Sequence, residues 1–79
     1  MSTITLNGTS QAVSEDTTLV DLVAQAAGRP IGSDGHALDG SRLGMAVAVD
    51  AVVVPRSRWH RTPVVAGQTI EIITAVQGG

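Results

Sequence analysis

The spacing of apolar residues changes several times along the chain, and the first segment has a period of two. Between Thr3 and Val13, Ile4 and Leu6 alternate with polar residues, and Asn7-Gly8 divides the segment into two halves. Such alternation is typical of a half-buried strand, and Asn-Gly is the strongest short hairpin signal because both residues tolerate positive φ angles. The segment therefore predicts a β-hairpin.

A helical period begins after Thr18. Four apolar residues follow at helical spacing and define one stripe: Leu19, Leu22, Val23 and Ala26. Thr18 with Asp21 three residues later is typical of a capping box, and Gly28 followed by Pro30 is typical of a helix end. The pattern predicts one helix of about three turns whose stripe packs on another layer.

The region after the helix predicts a long loop followed by a second hairpin. Residues 29–44 are rich in Gly, Asp and Ser and have no sustained period, which is typical of a loop. Met45 to Val49 and Val52 to Val54 predict two short strands joined by a turn at Asp50-Ala51. Pro55 ends the second strand, which favours an edge position in the sheet because proline cannot donate to a ladder.

The last segment predicts a turn, a hydrophobic core residue and a final strand. Arg56 to Arg61 is interpreted as a connecting turn, and Ala66-Gly67 as the turn that leads into a strand from Thr69 to Val76. The near-continuous apolar character of that strand predicts burial in mid-sheet, without a face toward water. Trp59 is the only aromatic residue, so we expect it to pack in the core beneath the turn; the alternative is an exposed contact for a partner.

One helix among four to five strands predicts an α+β fold. The apolar stripe of the helix needs a sheet to cover, and the helix is long enough to connect two parallel strands. A β-grasp arrangement, with a mixed sheet and one main helix across it, would place the first and last strands side by side at the centre. The C-terminal residues would then leave the sheet from a central strand and project beyond the folded body.

Composition excludes several classes of function. The 79 residues suffice for one domain, and the absence of Cys removes disulfides, thiolate metal ligands and a thiol nucleophile. Five Arg, no Lys and seven acidic residues give a net charge of -2, which offers no basic surface for nucleic acid or an anionic membrane. No apolar run approaches the roughly 18 residues of a membrane span, and no leader pattern opens the chain, so we expect a cytoplasmic protein.

The segment from Val47 to Gly79 carries a family resemblance. It contains Val54-Pro55-Arg56, Trp59 three residues after the arginine, a glycine turn at Gly67, an Ile-rich strand and a closing Gly78-Gly79. With the helix that opens at Thr18, these features resemble the β-grasp sulfur carrier proteins, and within them the ThiS family of thiamine biosynthesis. A terminal Gly-Gly alone would equally fit a frayed end.

The resemblance implies a domain over residues 1–75 and a flexible tail over residues 76–79 that ends in Gly-Gly. It further implies that a ThiF-type adenylyltransferase uses ATP and magnesium to adenylate the carboxylate of Gly79. A sulfur donor protein then converts the adenylate to a thiocarboxylate, which delivers sulfur to the thiazole synthase ThiG. The carrier itself would have no catalytic residue, bind no cofactor and hold no metal.

Further expectations concern individual glycine, charged and histidine residues. Gly78, without a Cβ, would let the tail thread into the active site of a partner. Arg56, Arg58 and Arg61 form a local positive cluster, and Arg56 is the best candidate for a partner contact because it lies in the matching motif. Asp34, His36 and Asp39 crowd the long loop, but their spacing fits no zinc or EF-hand pattern, and we interpret them as turn residues. His60 is expected at the surface.

Three alternative functions stay open at the level of sequence. The same chemistry could serve another product, as in MoaD-like molybdopterin carriers or carriers for cysteine synthesis. A ubiquitin-like interaction module would use an exposed sheet face and keep the glycines as an inert tail. A protein modifier would share the activation step and end in an isopeptide bond to a lysine of another protein.

Overall fold

The computed structural model describes residues 2–28, 30–32, 38 and 44–74, and the fold below is that of these residues. The elements in chain order are β1 Ser2–Leu6, β2 Thr9–Val13, α1 Leu19–Ala27, β3 Met45–Val49, β4 Val52–Val54, a 3₁₀ helix Arg56–Arg61 and β5 Thr69–Thr74. Within this part of the chain, no helix has the length and apolar character that crossing a membrane requires.

The strands form one mixed sheet in the order β2-β1-β5-β3-β4. β1 and β5 run parallel, and the pairs β1–β2, β3–β4 and β3–β5 are antiparallel. The first and last strands are therefore neighbours, and β5 lies at the centre with two strands on each side. This confirms the predicted α+β, β-grasp arrangement, with five strands and one main helix.

Both predicted hairpin turns are present, and each needs two residues with positive φ. Asn7 has a φ of 51° and Gly8 of 82°, whereas Asp50 has a φ of 49° and Ala51 of 71°. Left-handed angles at both central residues are typical of the tight turns that match the twist of the flanking strands. The Asn-Gly turn could be predicted from residue types, whereas alanine rarely adopts this conformation.

The predicted start and end of the helix are confirmed. The backbone N–H of Thr18 donates to Oδ2 of Asp21 at 2.9 Å, and Gly28 follows the helix with a φ of 71°. The predicted stripe is correct at its three large members, but Ala26 is exposed. Val20 and Ala27 pack partly against the core instead, so the packed face is centred closer to Val23, and the prediction for Ala26 is wrong.

β5 lies in mid-sheet as predicted, but the expectation that it has no wet face is wrong. Ile70 and Ile72 are buried, whereas the alternate residues Thr69, Glu71 and Ile73 are exposed. A single helix covers only one face of a five-stranded sheet, so every strand keeps one face toward water. The apolar residue Ile73 lies on that outer face with 57% of its surface exposed.

The segment around Trp59, predicted as a connecting turn, forms a 3₁₀ helix. Pro55 precedes it, and the N–H of Arg58 donates to the Pro55 carbonyl at 2.9 Å, which is the short-range bond of a 3₁₀ turn. Trp59 is only 1% exposed, and its Nε1–H donates to the Val54 carbonyl at 3.0 Å. The prediction of a core tryptophan is confirmed, and the interface interpretation is wrong.

The core lies between the inner face of the sheet and the layer of α1 and the 3₁₀ helix. Its buried residues are Ile4, Val13, Leu19, Leu22, Val23, Met45, Val47, Trp59, Val64, Ile70 and Ile72. No polar side chain is buried among the described residues. The interior is therefore aliphatic around one aromatic residue.

Candidate functional site: the end of the central strand

The candidate site begins where the described part of β5 ends. Thr74 is the last residue of β5, and Gly78 and Gly79 lie outside the described residues, as does the predicted boundary between residues 75 and 76. These predictions on the tail therefore stay predictions. The described residues define the central strand that precedes the predicted tail and the side chains that bind the end of this strand.

On one side, β5 is paired with β3 from Ile70 to Thr74. Met45 is opposite Thr74, and Ala46 is opposite Ile73. The first residue of β3 is thus the neighbour of the last residue of β5. Backbone pairing with β3 therefore holds β5 as far as Thr74.

On the other side, β1 ends early and a side chain takes over. The last β1 pair is Leu6 with Ile70, and the backbone N–H of Asn7 donates to the Ile70 carbonyl at 2.9 Å. The N–H of Ile72 donates to Oδ1 of Asn7 at 2.8 Å, and Nδ2 of Asn7 donates to the Ile72 carbonyl at 3.3 Å. Both backbone groups of Ile72 are therefore bound by one carboxamide.

Arg56 binds the backbone of β3 with its side chain, as Asn7 binds that of β5, but from the side of β3 that faces away from β5. The strand pair β3–β4 reaches Val47 and Val54, and Pro55 then directs the chain out of the sheet. Nη2 of Arg56 donates to the Met45 carbonyl at 3.0 Å, and the guanidinium lies over the Trp59 ring at 5.0 Å from its centroid. The structure thus puts Arg56 beside the residue that pairs with Thr74; its predicted contact with a partner stays a prediction.

The other polar residues singled out from the sequence do not converge on this end. Arg58, His60 and Arg61 are exposed on the 3₁₀ helix, as predicted for His60. The loop residues 34, 36 and 39 lie outside the described residues. Among the residues that the structure describes, no three His, Cys, Asp or Glu side chains lie close enough together to hold a metal ion.

The outer face of the sheet carries a small apolar patch next to the end of β5. Ala46, Val53 and Ile73 are exposed there, with Val53 at 71% and Ile73 at 57%, and we call these three residues the outer apolar patch. Ala46 pairs with Ile73, and Val53 pairs with Ala48 of the same strand β3. The sequence pattern did not indicate this patch, because the near-continuous apolar character of β5 predicted a strand without an exposed face.

The chemistry of this site is that of holding a chain and not of transforming a substrate. The side chains that bind the end of the β3–β5 pair are an amide, Asn7, and a guanidinium, Arg56. Neither group serves as a nucleophile or as a general base near neutral pH. The arrangement therefore suits the presentation of the segment that follows Thr74.

A mixed sheet with parallel first and last strands at its centre, combined with one main helix, defines a β-grasp protein. The family model of the ThiS family matches residues 4–79, and the chain belongs to this family. The match extends to Gly79.

A solved structure has the same fold. It is that of the thiamine biosynthesis protein ThiS from Geobacter metallireducens, with a TM-score of 0.65, 20% sequence identity, and coverage of 98% of this chain and 99% of that chain. No curated protein matches the sequence. At this identity the structural match shows the fold, and the family assignment rests on the family model.

Proposed function

We propose that this protein is the sulfur carrier of thiamine thiazole synthesis and that it carries sulfur as a thiocarboxylate on Gly79. The observation that supports the proposal most is the family match, which extends over residues 4–79 and so includes Gly78-Gly79. The central position of β5 adds support, because a tail that continues this strand would start from a segment that has a paired strand on each side.

The proposed activation begins at the free carboxylate of Gly79. A carboxylate resists nucleophiles because of its charge and lacks a usable leaving group. In a ThiF-type adenylyltransferase, a carboxylate oxygen attacks the α-phosphorus of ATP, pyrophosphate departs, and an acyl adenylate forms. Magnesium belongs to that enzyme, where it neutralises phosphate charge.

Sulfur transfer then replaces the nucleotide. A sulfur nucleophile attacks the acyl carbon, and AMP leaves with the electron pair of the broken C–O bond. If the nucleophile is sulfide, the thiocarboxylate forms directly. If it is the persulfide of a donor protein, an acyl disulfide forms, and two equivalents of a thiol reductant cleave its S–S bond to give the thiocarboxylate, the donor thiol and an oxidised disulfide. The thiocarboxylate next passes its sulfur to the thiazole synthase ThiG. The carrier supplies one reactive carboxylate and a surface, and it acts as a co-substrate without a catalytic side chain.

The body of the domain must provide docking contacts in this scheme. Ordering a flexible tail costs about 1–2 kcal/mol per residue, which the tail alone cannot offset. Five residues beyond Thr74 span at most about 17 Å, so the enzyme that receives Gly79 must cover the tail end of the sheet. The outer apolar patch lies at the tail end of the sheet and suits contact with an apolar surface of the adenylyltransferase. The reaction would take place in the cytosol, where ATP is available.

Intact-mass measurement tests the proposal directly. The protein is incubated with a ThiF-type enzyme, ATP, magnesium and sulfide, and we expect a mass gain equal to the exchange of one oxygen for one sulfur. Deletion of Gly79 should abolish this mass gain. The control variant Ser57→Ala, which replaces an exposed residue outside β5, should retain it. Absence of the gain in the wild-type protein would refute the carrier function.

Reconstitution separates the pathway alternatives. We expect the charged protein to yield thiazole phosphate with ThiG, whereas productive transfer only in a molybdopterin or cysteine system would redirect the assignment. An interaction module would keep its partner affinity after deletion of Gly79. A protein modifier would instead give a covalent conjugate visible on a denaturing gel.

A further inference from the structure

The ladder between β1 and β5 breaks at Asn7 because the chain turns there. In the regular part, the N–H of Thr5 donates to the Gln68 carbonyl at 3.0 Å and that of Asn7 to the Ile70 carbonyl at 2.9 Å. In a parallel ladder the next acceptor, for the N–H of Ile72, would be the main-chain carbonyl of Asn7. Asn7 has a φ of 51° and begins the hairpin turn, which ends this ladder.

The carboxamide of Asn7 replaces the missing peptide group. Its Oδ1 accepts the N–H of Ile72 at 2.8 Å, and its Nδ2 donates to the Ile72 carbonyl at 3.3 Å. A carboxamide has the same carbonyl and N–H pair as a peptide unit. The side chain therefore continues the parallel ladder for one further step after the backbone of β1 has left the sheet.

We infer that Asn7 is a positioning residue for the C-terminal tail, an inference that rests on the proposed function. Ile72 is two residues before Thr74, so Asn7 holds the β1 side of β5 close to the start of the tail, while Met45 pairs with Thr74 on the β3 side. A strand end that is bound on both sides leaves less chain to order when the tail enters an enzyme.

The choice of residue type separates this role from simple turn formation. Gly, Asn and Asp all tolerate a positive φ. Only Asn provides both the acceptor and the donor that Ile72 uses, since a carboxylate accepts but does not donate and glycine has no side chain. Asn7→Gly therefore keeps the turn and removes the ladder extension, and Asn7→Asp keeps the acceptor alone.

The other end of β5 provides a matched control. Asp50 also has a positive φ, of 49°, in a hairpin turn, and its Oδ1 accepts the N–H of Thr69 at 2.9 Å. Asp50→Gly thus removes a side-chain bond from the first residue of β5, whereas Asn7→Gly removes two bonds near its last residue. The two variants are expected to lose similar global stability.

The experiment combines amide hydrogen exchange with the rate of tail charging. In Asn7→Gly, we expect exchange at Ile72 to be about tenfold faster than in wild type, after correction for global stability. Asp50→Gly should accelerate exchange at Thr69 and leave Ile72 unchanged. In single-turnover adenylation at saturating ThiF-type enzyme, Asn7→Gly should be about tenfold slower and Asn7→Asp intermediate, with Asp50→Gly at the wild-type rate.

Each result decides a different statement. Unchanged exchange at Ile72 in Asn7→Gly overturns the ladder extension, and faster exchange with a wild-type charging rate overturns the positioning role. Equal slowing in Asn7→Gly and Asp50→Gly also overturns it, because loss of stability would then explain both. If wild type itself takes no adenylate, the proposed function fails and the positioning role fails with it, whereas the exchange result still reports the ladder extension.

Discussion

At the scale of single residues, Trp59 shows how one side chain can connect several elements. Its ring is buried in an otherwise aliphatic core, its indole N–H binds the Val54 carbonyl at the end of β4, and Arg56 lies over its face. A domain of this size buries a modest fraction of its surface, so one large side chain contributes much of its stability. Trp59 therefore links the sheet edge to the layer above it.

Replacement of Trp59 should reveal that role. We expect Trp59→Ala to lower the free energy of unfolding by about 3–5 kcal/mol because it leaves a large cavity. Trp59→Phe retains most apolar contacts but removes the donor to the Val54 carbonyl, at a cost of about 1–3 kcal/mol. Urea unfolding measures the free energy of unfolding of both variants. Val65→Ala, a change at an exposed site, serves as the control. A decrease of less than about 1 kcal/mol for Trp59→Ala would contradict the core role of Trp59.

At the scale of elements, the two hairpin turns solve one geometric problem with different residues. Asn7-Gly8 uses residue types that accept left-handed angles, whereas Asp50-Ala51 places an alanine at a φ of 71°. The Cβ of an L-residue crowds the backbone there and costs about 1–2 kcal/mol. The turn between β3 and β4 is therefore strained relative to the turn between β1 and β2.

Exchange of residue types between the two turns tests this difference. We expect Ala51→Gly to raise the free energy of unfolding by about 0.5–1 kcal/mol, because relief of the strained φ exceeds the added entropy of the unfolded chain. Gly8→Ala should lower it by about 0.5–1 kcal/mol, because backbone strain exceeds the reduced entropy of the unfolded chain; a clash adds nothing, since an added Cβ meets nothing within 4 Å. A loss of stability in Ala51→Gly would contradict the strain at this turn.

At the scale of the whole molecule, the two faces of the sheet differ: one packs against the helices and the other is exposed. Its inner face packs on α1 and the 3₁₀ helix and contains the buried residues. Its outer face carries the outer apolar patch beside the end of β5, where the proposed function would require a partner to approach the C-terminal residues. A substitution on the outer face can therefore alter binding without disturbing the core.

Ile73→Thr tests this expectation. Thr retains a β-branched side chain suited to a strand, so we expect the free energy of unfolding to change by less than about 0.5 kcal/mol. Loss of apolar burial should weaken binding to the ThiF-type enzyme about tenfold in a calorimetric titration. Val65→Thr, which changes another exposed apolar residue near the start of β5, should bind as wild type; equal affinity of Ile73→Thr would exclude the patch from the interface.

The sequence by itself determined the elements whose causes are local. Asn7-Gly8 specified the first hairpin, Thr18 with Asp21 began the helix and Gly28 ended it, since each of these signals acts through backbone angles or bonds a few residues apart. The order of these elements and the single helix stripe then sufficed for the β-grasp arrangement, and the motifs from Val47 to Gly79 together with the helix start at Thr18 sufficed for the family.

Only the tertiary structure decided which faces are covered and which side chains complete the sheet. Ala26 and Ile73 are both exposed because of how far the neighbouring layer extends, which the periodicity of the sequence does not specify. The bonds between Asn7 and Ile72 join residues 65 positions apart. The register of the two strands decides that the paired part of β1 ends at Leu6, opposite Ile70, while β5 continues to Thr74. This register is set only when the strands pair.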